Sequence, residues 1–232
     1  MSTPTNVVTQ ILERIHVMPE EEVPLTAAVG WVLANDVRAL VSHPAYDFAA
    51  GDTILTARNV ITPTSVGLIA AAGVGTVCVF RRPTVAVLTA GDNLVMLDRL
   101  DDVRAGDKVV SSNSYVLPVL VQDAGGVPCN CGIVGSDPAS THHVIESVLG
   151  CDLLVSTDAG GAHDPLRRVF DMMGADVMFD DALESTKIPL VFGMLDDTPW
   201  LGLPGDPAWT VTAFERLVRP AIRKMCGHLA AH

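Results

Sequence analysis

The chain has 232 residues with 27 Asp+Glu against 15 Lys+Arg, a formal net charge of -12 with histidine neutral. That balance argues against nucleic acid as a partner, because phosphate neutralisation needs a clustered basic face. Hydrophobic residues make up 49% and charged ones 18%, which excludes a disordered chain and leaves apolar surface for buried strands and a subunit interface.

The opening MSTPTNVV lacks a basic, apolar leader pattern, and no run of about 18 apolar residues occurs, so the expectation is a cytoplasmic protein without membrane contact. Cys78, Cys129, Cys131, Cys151 and Cys226 are odd in number and contain no C-x-x-C pair. They read as reduced thiols packed in apolar runs. Cys129 and Cys131 share one strand face but lack the further Cys or His of a tetrahedral metal set.

Helical spacing over residues 6–37 predicts two small helices. One puts Val7, Ile11 and Ile15 on one face, and a second spans Val23 to Ala34 after the acidic turn Glu20 to Glu22. Together they form a helical appendage over residues 1–50, ahead of an α/β domain over 51–232. Thr62 caps a helix whose first position is Pro63 and whose end is Gly73. TVCVF (76–80) and TVAVLTA (84–90) follow as strands, the second apolar at nearly every position, as a strand covered on both faces must be.

The alternation continues with SYVLPVLVQDAG (114–125) as helix, VPCNCGIV (127–134) as strand, PASTHHVIESVLG (138–150) as helix, CDLLVST (151–157) as strand and PLRRVFDMMG (165–174) as helix. ADVMFD, IPLVFGML and PWLGLPG read as strands, the last two joined at Asp196-Asp197. PAWTVTAFERLVRPAIRKM closes the chain as a helix interrupted at Pro220. Strand-helix alternation predicts an α/β three-layer sandwich around a mostly parallel sheet.

In such a sheet, ligands bind beyond the carboxyl ends of the strands. The loops expected there are TAGDN (89–93), SSNS (111–114), VGSDP (134–138), STDAGGAHDP (156–165) and LPGDP (203–207), all rich in residues that expose backbone amides and short polar side chains. Three end in Asp-Pro, where Asp accepts the orphan amides of a helix start and Pro needs no donor. That pattern alone means capping, so a functional reading rests on several loops converging. A capping carboxylate repels phosphate, at roughly 1 kcal/mol for charges about 4 Å apart in water and about 4 when partly shielded. A phosphorylated ligand here would therefore be bridged by Mg²⁺ on Asp92, Asp164 or Asp206, since magnesium takes one or two carboxylates plus ligand oxygens. Ser156 and Thr157 are candidate ligand hydroxyls, and His163 beside Asp164 a candidate acid–base pair. His142 and His143 read as solvated surface, and Trp200 and Trp209 as core or contact residues before pocket walls. No G-x-G-x-x-G, P-loop or nucleophile-elbow pattern occurs.

The order of these loops carries a resemblance. RRPTVAVLTAGDNLV, KVVSSNSYVLPVLVQDAGG, GIVGSDPAS and PLVFGML…PWLGLPGDPAWTVTAFERLVRPAIRKMCG are similar to the molybdopterin-binding (MoCF, MogA-like) domain of the MoeA and gephyrin E-domain family, the molybdopterin molybdotransferases. EEVPLTAAVGWVLANDVRALVSHPAYDF resembles that family's N-terminal segment. The resemblance implies molybdopterin or its adenylylated form as ligand, Mg²⁺ as cofactor, and a homo-oligomer, dimer or trimer.

By position, Gly91 and Asp92 match the TGDE-type loop, Ser112, Asn113 and Ser114 the DSNS-type turn, and Asp164 the acidic residue after the glycine loop with Gly160 and Gly161. Pro204, Gly205 and Pro207 match the PGNP-type turn, where Asp206 replaces Asn. Departures are visible too. Ser156-Thr157-Asp158-Ala159 stands where the family has S-G-G, the KPGKP lysines are reduced to Lys187, and the MDGYA motif and inserted subdomain are missing after Asp47-Phe48. The chain also ends where the family continues into a β domain. With charge-assisted bonds each worth about 1.5–3 kcal/mol, the lost lysines imply weaker binding of a multiply phosphorylated pterin and a reduced molybdotransferase role. A non-catalytic module that binds another protein is the alternative.

Overall fold

The computed structural model describes residues 5–157, 165–183 and 188–229. The chain divides into two compact units, one holding residues up to Arg14 together with Thr84–Ala221, the other Ile15–Pro83 together with residues from Ile222 onward.

Helix α1 (Thr5–Arg14) belongs to the first unit. The second unit begins with β1 (Glu20–Pro24), followed by β2 (Val37–Arg38), β3 (Thr53–Leu55), helix α2 (Pro63–Ala71) and β4 (Thr76–Phe80). It therefore takes in residues on both sides of residue 50. The helix expected over Val23 to Ala34 is not formed. Residues 20–24 pair antiparallel with β4, from Glu20↔Phe80 to Pro24↔Thr76, a 3-10 turn occupies Leu25–Ala27, and Gly30 turns the chain at φ 82°. Val32 and Leu33 then bridge to Val60 and Val79. The apolar positions that mimic a helical stripe instead fill a β core of Leu25, Ala28, Leu33, Val37, Ile61, Ile69, Val77 and Val79. Helix α2 starts as expected: the Thr62 hydroxyl accepts from the Ser65 amide at 3.1 Å while the Ser65 hydroxyl accepts from the Thr62 amide at 2.7 Å, a reciprocal cap ahead of Pro63.

The first unit continues with β5 (Thr84–Ala90), β6 (Leu94–Val95), α3 (Leu100–Ala105), β7 (Val109–Val110), α4 (Asn113–Ala124), β8 (Val127–Val134), α5 (Pro138–Glu146) and β9 (Leu153–Thr157). Then come α6 (Pro165–Met172), β10 (Asp176–Leu183), β11 (Ile188–Leu195), β12 (Thr198–Leu203), α7 (Pro207–Ala213) and α8 (Arg219–Met225). The division between the units falls between Ala221 and Ile222, within the residues of α8. Six strands form one sheet in the order β10-β11-β12-β9-β5-β8. The pairs β12–β9, β9–β5 and β5–β8 are parallel, and β10–β11–β12 is an antiparallel meander.

Strand β5 explains the layering. Six of its seven residues are buried, and period-2 alternation sends Ala86, Leu88 and Ala90 into a cluster with Ile145 and Val148 of α5 and Leu166, Val169 and Phe170 of α6. Val85, Val87 and Thr89 face the opposite layer, where α4 packs on β5 and β8 and against α7. Phe170 stacks on Trp200 with ring centroids 3.7 Å apart, and Trp200 is fully buried, so this tryptophan is core.

Both prolines inside helices are accommodated locally. Pro118 cannot donate to the Ser114 carbonyl four residues back, and that carbonyl accepts instead from Asn130 Nδ2 at 3.2 Å. Ahead of Pro220 the chain widens into a π-turn over Phe214–Val218, the Arg219 amide reaching back five residues to Phe214. The predicted interruption is thus a bulge within a continuous helical run. Among the described residues no helix is long and apolar enough to cross a membrane.

Candidate functional site at the carboxyl edge of the sheet

The parallel strands end level with one another. Ala90 pairs with Val134, Leu88 with Ser156 and Thr157 with Leu203, so β5, β8, β9 and β12 end at one edge. The Gly91 amide donates to Val134 O at 2.9 Å, binding the first two of these loops to each other. Gly91 has φ 154°, and a Cβ there would come within 2.8 Å of the Leu94 side chain; only glycine fits this turn.

Asp92 is held by the neighbouring loop. Its Oδ1 accepts from the Ser136 amide at 2.7 Å, and that backbone bond, followed by the Ser136 hydroxyl, keeps its carboxyl below the usual carboxylate range. Gly135 lets the approach happen, since a Cβ there would lie 2.7 Å from the same oxygen. Lys108 Nζ donates to Asp92 O at 2.8 Å. Beside this pair lies a cavity of about 400 Å³ lined by Gly91, Asp92, Leu94, Met96, Arg99 and Gly135 among others. An ionised carboxylate, backbone turns and a partly apolar wall can receive a flat polar compound and a cation.

The start of α4 joins the edge by a second network. Ser114 Oγ donates to Thr89 Oγ1 at 3.0 Å and lies 2.7 Å from Ser111 Oγ. Asn113, 5% exposed, donates through Nδ2 to Gly205 O at 2.8 Å, while its Oδ1 is buried without a partner. The turn it meets is fixed by Thr210, whose Oγ1 donates to Pro204 O at 2.7 Å. Asp206 Oδ1 accepts from the Ala208 and Trp209 amides at 3.0 and 3.1 Å ahead of Pro207, so its carboxylate caps α7. Asp137 caps α5 in the same way through Ser140.

Gly91, Asp92, Asn113, Ser114, Pro204, Gly205, Asp206 and Pro207 are therefore brought to one edge. Ser112 is the exposed residue ahead of α4, and its carbonyl accepts from the Tyr115 and Val116 amides. Ser156 and Thr157 diverge: Ser156 is buried with its hydroxyl accepting from Trp200 Nε1 at 2.8 Å, whereas Thr157 Oγ1 is buried without a partner. Asp164, Gly160, Gly161, Lys187 and His163 lie outside the described residues. Among the described residues no group of three or more His, Cys, Asp or Glu is placed to hold a metal ion. The five cysteines are free thiols.

Thr89, Ser111 and Ser136 lie in loops named from the sequence but without roles of their own, and Lys108 and Arg99 lie outside those loops. A threonine at the end of an otherwise apolar strand, and a serine directly after the glycine of the VGSDP loop, were the available signals for two of them. Nothing local announces that Ser136 meets a residue 44 positions away.

No protein-family model matches the chain. It is 31% identical over 186 residues to a molybdopterin molybdenumtransferase of Nostoc sp., covering 78% of this chain and 42% of that protein. It is 30% identical over 194 residues to molybdopterin molybdenumtransferase 1 of Mycobacterium tuberculosis, covering 82% and 45%. The chain thus spans less than half the length of these curated relatives. Among solved structures, the molybdopterin biosynthesis moeA protein from Pyrococcus horikosii superimposes with a TM-score of 0.81 at 18% identity, covering 98% of this chain and 81% of that one. A molybdenum cofactor biosynthesis protein from Pyrococcus furiosus gives 0.74 at 22%, covering 99% and 74%.

Proposed function

The chain is a divergent relative of the molybdopterin molybdenumtransferases, and from that premise we propose that the carboxyl edge of its sheet binds molybdopterin, or a related phosphorylated pterin, in molybdenum cofactor biosynthesis. The observation that carries the reading is Asn113. It is buried, its amide group is locked on Gly205 O, and its Oδ1 is an unsatisfied acceptor at the edge where the loops meet. A buried acceptor without a partner costs about 1–3 kcal/mol, which a ring N–H of a bound pterin would recover. Thr157 Oγ1, at the end of β9, is a second buried group without a partner.

Mg²⁺ fits this reading through Asp92. Its carboxyl stays ionised because of the Ser136 amide, and a hard cation can take one such oxygen and draw its remaining ligands from phosphate and water. The bound ion would supply charge neutralisation. Ser136 and Gly135 orient the carboxylate, and the Leu94 and Met96 side chains restrict water on one wall. Asp164 and Asp206 remain the other proposed ligands, Asp206 with one oxygen already used in capping. Molybdotransferase activity in this chain is proposed as reduced. A cytoplasmic setting suits five free thiols, and self-association suits the exposed Tyr115, Val119 and Val127.

The test is mass spectrometry of the native protein for a co-purified pterin, with calorimetry of molybdopterin binding with and without Mg²⁺. Binding that weakens in Asn113→Ala and strengthens with Mg²⁺ supports the reading. Absence of binding by the folded protein under both conditions rejects it.

A further inference from the structure

The cavity beside Asp92 has a polar rim that pterin binding alone does not use. Its described lining includes two carboxylates, Asp92 and Asp98, and one side-chain cation, Arg99. The guanidinium is 62% exposed and its Nη2 sits 2.5 Å from Asp102 Oδ2 in the following helix α3. The arginine end of this pair is exposed and pays side-chain freedom to keep it, whereas the Asp102 Oδ2 it meets is shielded from solvent and takes no hydrogen bond. Its backbone is better fixed, the Arg99 amide donating to Met96 O at 3.1 Å. Arg99 is therefore a largely exposed cation on the lining of a preformed hollow, held by one carboxylate that an incoming anion has to displace or share. A guanidinium presents a planar fork that matches two oxygens of a phosphate. Lys108, the other cation close by, has its ammonium on the Asp92 carbonyl.

The geometry points to Arg99 as the residue that binds the phosphate monoester of the ligand, exchanging Asp102 for it. This assignment rests on the pterin reading above and adds the group that makes the site selective for the phosphorylated compound. Asp102 acts as a competitor held in reserve, keeping the guanidinium over the hollow while lowering its affinity for anions. Asp98 opposes an anion on the same rim, so the net preference depends on Arg99 outweighing one carboxylate.

The experiment is calorimetry of the whole chain with 6-hydroxymethylpterin and with its phosphate monoester, at fixed ionic strength and Mg²⁺. The variants are Arg99→Ala, Arg99→Lys, Asp102→Asn and Asn113→Ala, each checked for an unchanged thermal midpoint. Loss of a charge-assisted bond corresponds to roughly ten- to a hundredfold in affinity. The expected pattern is a drop of at least about tenfold for the monoester in Arg99→Ala, no change for the unphosphorylated pterin, an intermediate loss in Arg99→Lys, and tighter monoester binding in Asp102→Asn. A monoester-to-pterin affinity ratio that ignores Arg99, while Asn113→Ala weakens both probes, overturns this assignment and leaves the pterin site standing. Failure of the folded wild-type chain to bind either probe removes both.

Discussion

Replacing Ser156 by alanine separates a structural hydroxyl from a ligand contact. Ser156 and Trp200 are both fully buried, and the indole Nε1 donates to the serine Oγ at 2.8 Å. In Ser156→Ala the indole N–H keeps its place in the core, stacked on Phe170, with no acceptor. A buried donor stranded in this way costs about 1–3 kcal/mol. For chains of roughly 150–250 residues each kcal/mol lowers Tm by about 2–4 °C, so a shift on the order of 2–12 °C is expected. Urea unfolding followed by tryptophan fluorescence measures it, with an unchanged slope showing that compactness is preserved. Repeating the substitution in a Trp200→Phe background should make it nearly neutral, because the donor is already gone. Molybdopterin affinity should stay at the wild-type value, since the hydroxyl is turned into the core. Equal stability of Ser156→Ala and wild type, or an equal loss in both backgrounds, refutes the reasoning.

Asp206→Ala should cost about 0.5–2 kcal/mol through loss of the α7 cap, while Asp206→Asn keeps the acceptor and stays close to wild type; chemical denaturation of the two variants distinguishes them. Gly227→Ala should destabilise by about 1–3 kcal/mol, because φ is 83° and the new Cβ would fall 2.2 Å from a Phe80 ring carbon; a thermal midpoint equal to wild type would contradict it. Burial pushes the Cys226 thiol up to about 11, with Arg82 and Arg223 pulling the other way. An unfolded thiol ionises near 8.5, so the unfolded chain loses its proton first. The stability contributed by this thiol is complete below that value and declines as pH rises toward about 11. Urea midpoints between pH 8 and 10 should fall more steeply in wild type than in Cys226→Ala.

What the sequence discloses here is what local chemistry decides. Thr62-Pro63, Asp137-Pro138 and Asp206-Pro207 announce helix starts because side-chain oxygen and missing amide act within three residues. The apolar run 84–90 announces a strand covered twice because it is only seven residues long and rich in β-branched residues, too short for a buried helix. Residues 23–34 misled because the spacing of Leu25, Ala28, Val29 and Val32 suits a helix, and pairing of residues 20–24 with residues 76–80 decides against it from far along the chain. The site divides along the same line. Gly91, Asn113 and Gly205 are legible as turn residues at strand ends, and the loop resemblance gathers them. The Ser136 amide on Asp92, and the opposite facing of Ser156 and Thr157, follow from strand register and from side-chain alternation that only tertiary structure fixes.

The main sheet ends in β8 on one side and β10 on the other. Each carries a register slip, between Val87 and Thr89 where β5 meets β8 and between Val177 and Phe179 on β10. On β8, Gly132 turns at φ 83° with its amide drawn to Asn130 Oδ1, and Pro128 offers no donor. On β10, Asp180 is ion-paired with Arg167 of α6, and the Asp181 carboxylate accepts from the Ala182 amide at 2.7 Å, so that amide is already engaged. A second strand laid against either margin would meet a broken row of donors and acceptors. Fibrillar stacking through these margins is thereby discouraged, and any assembly of this chain is steered toward its helical faces.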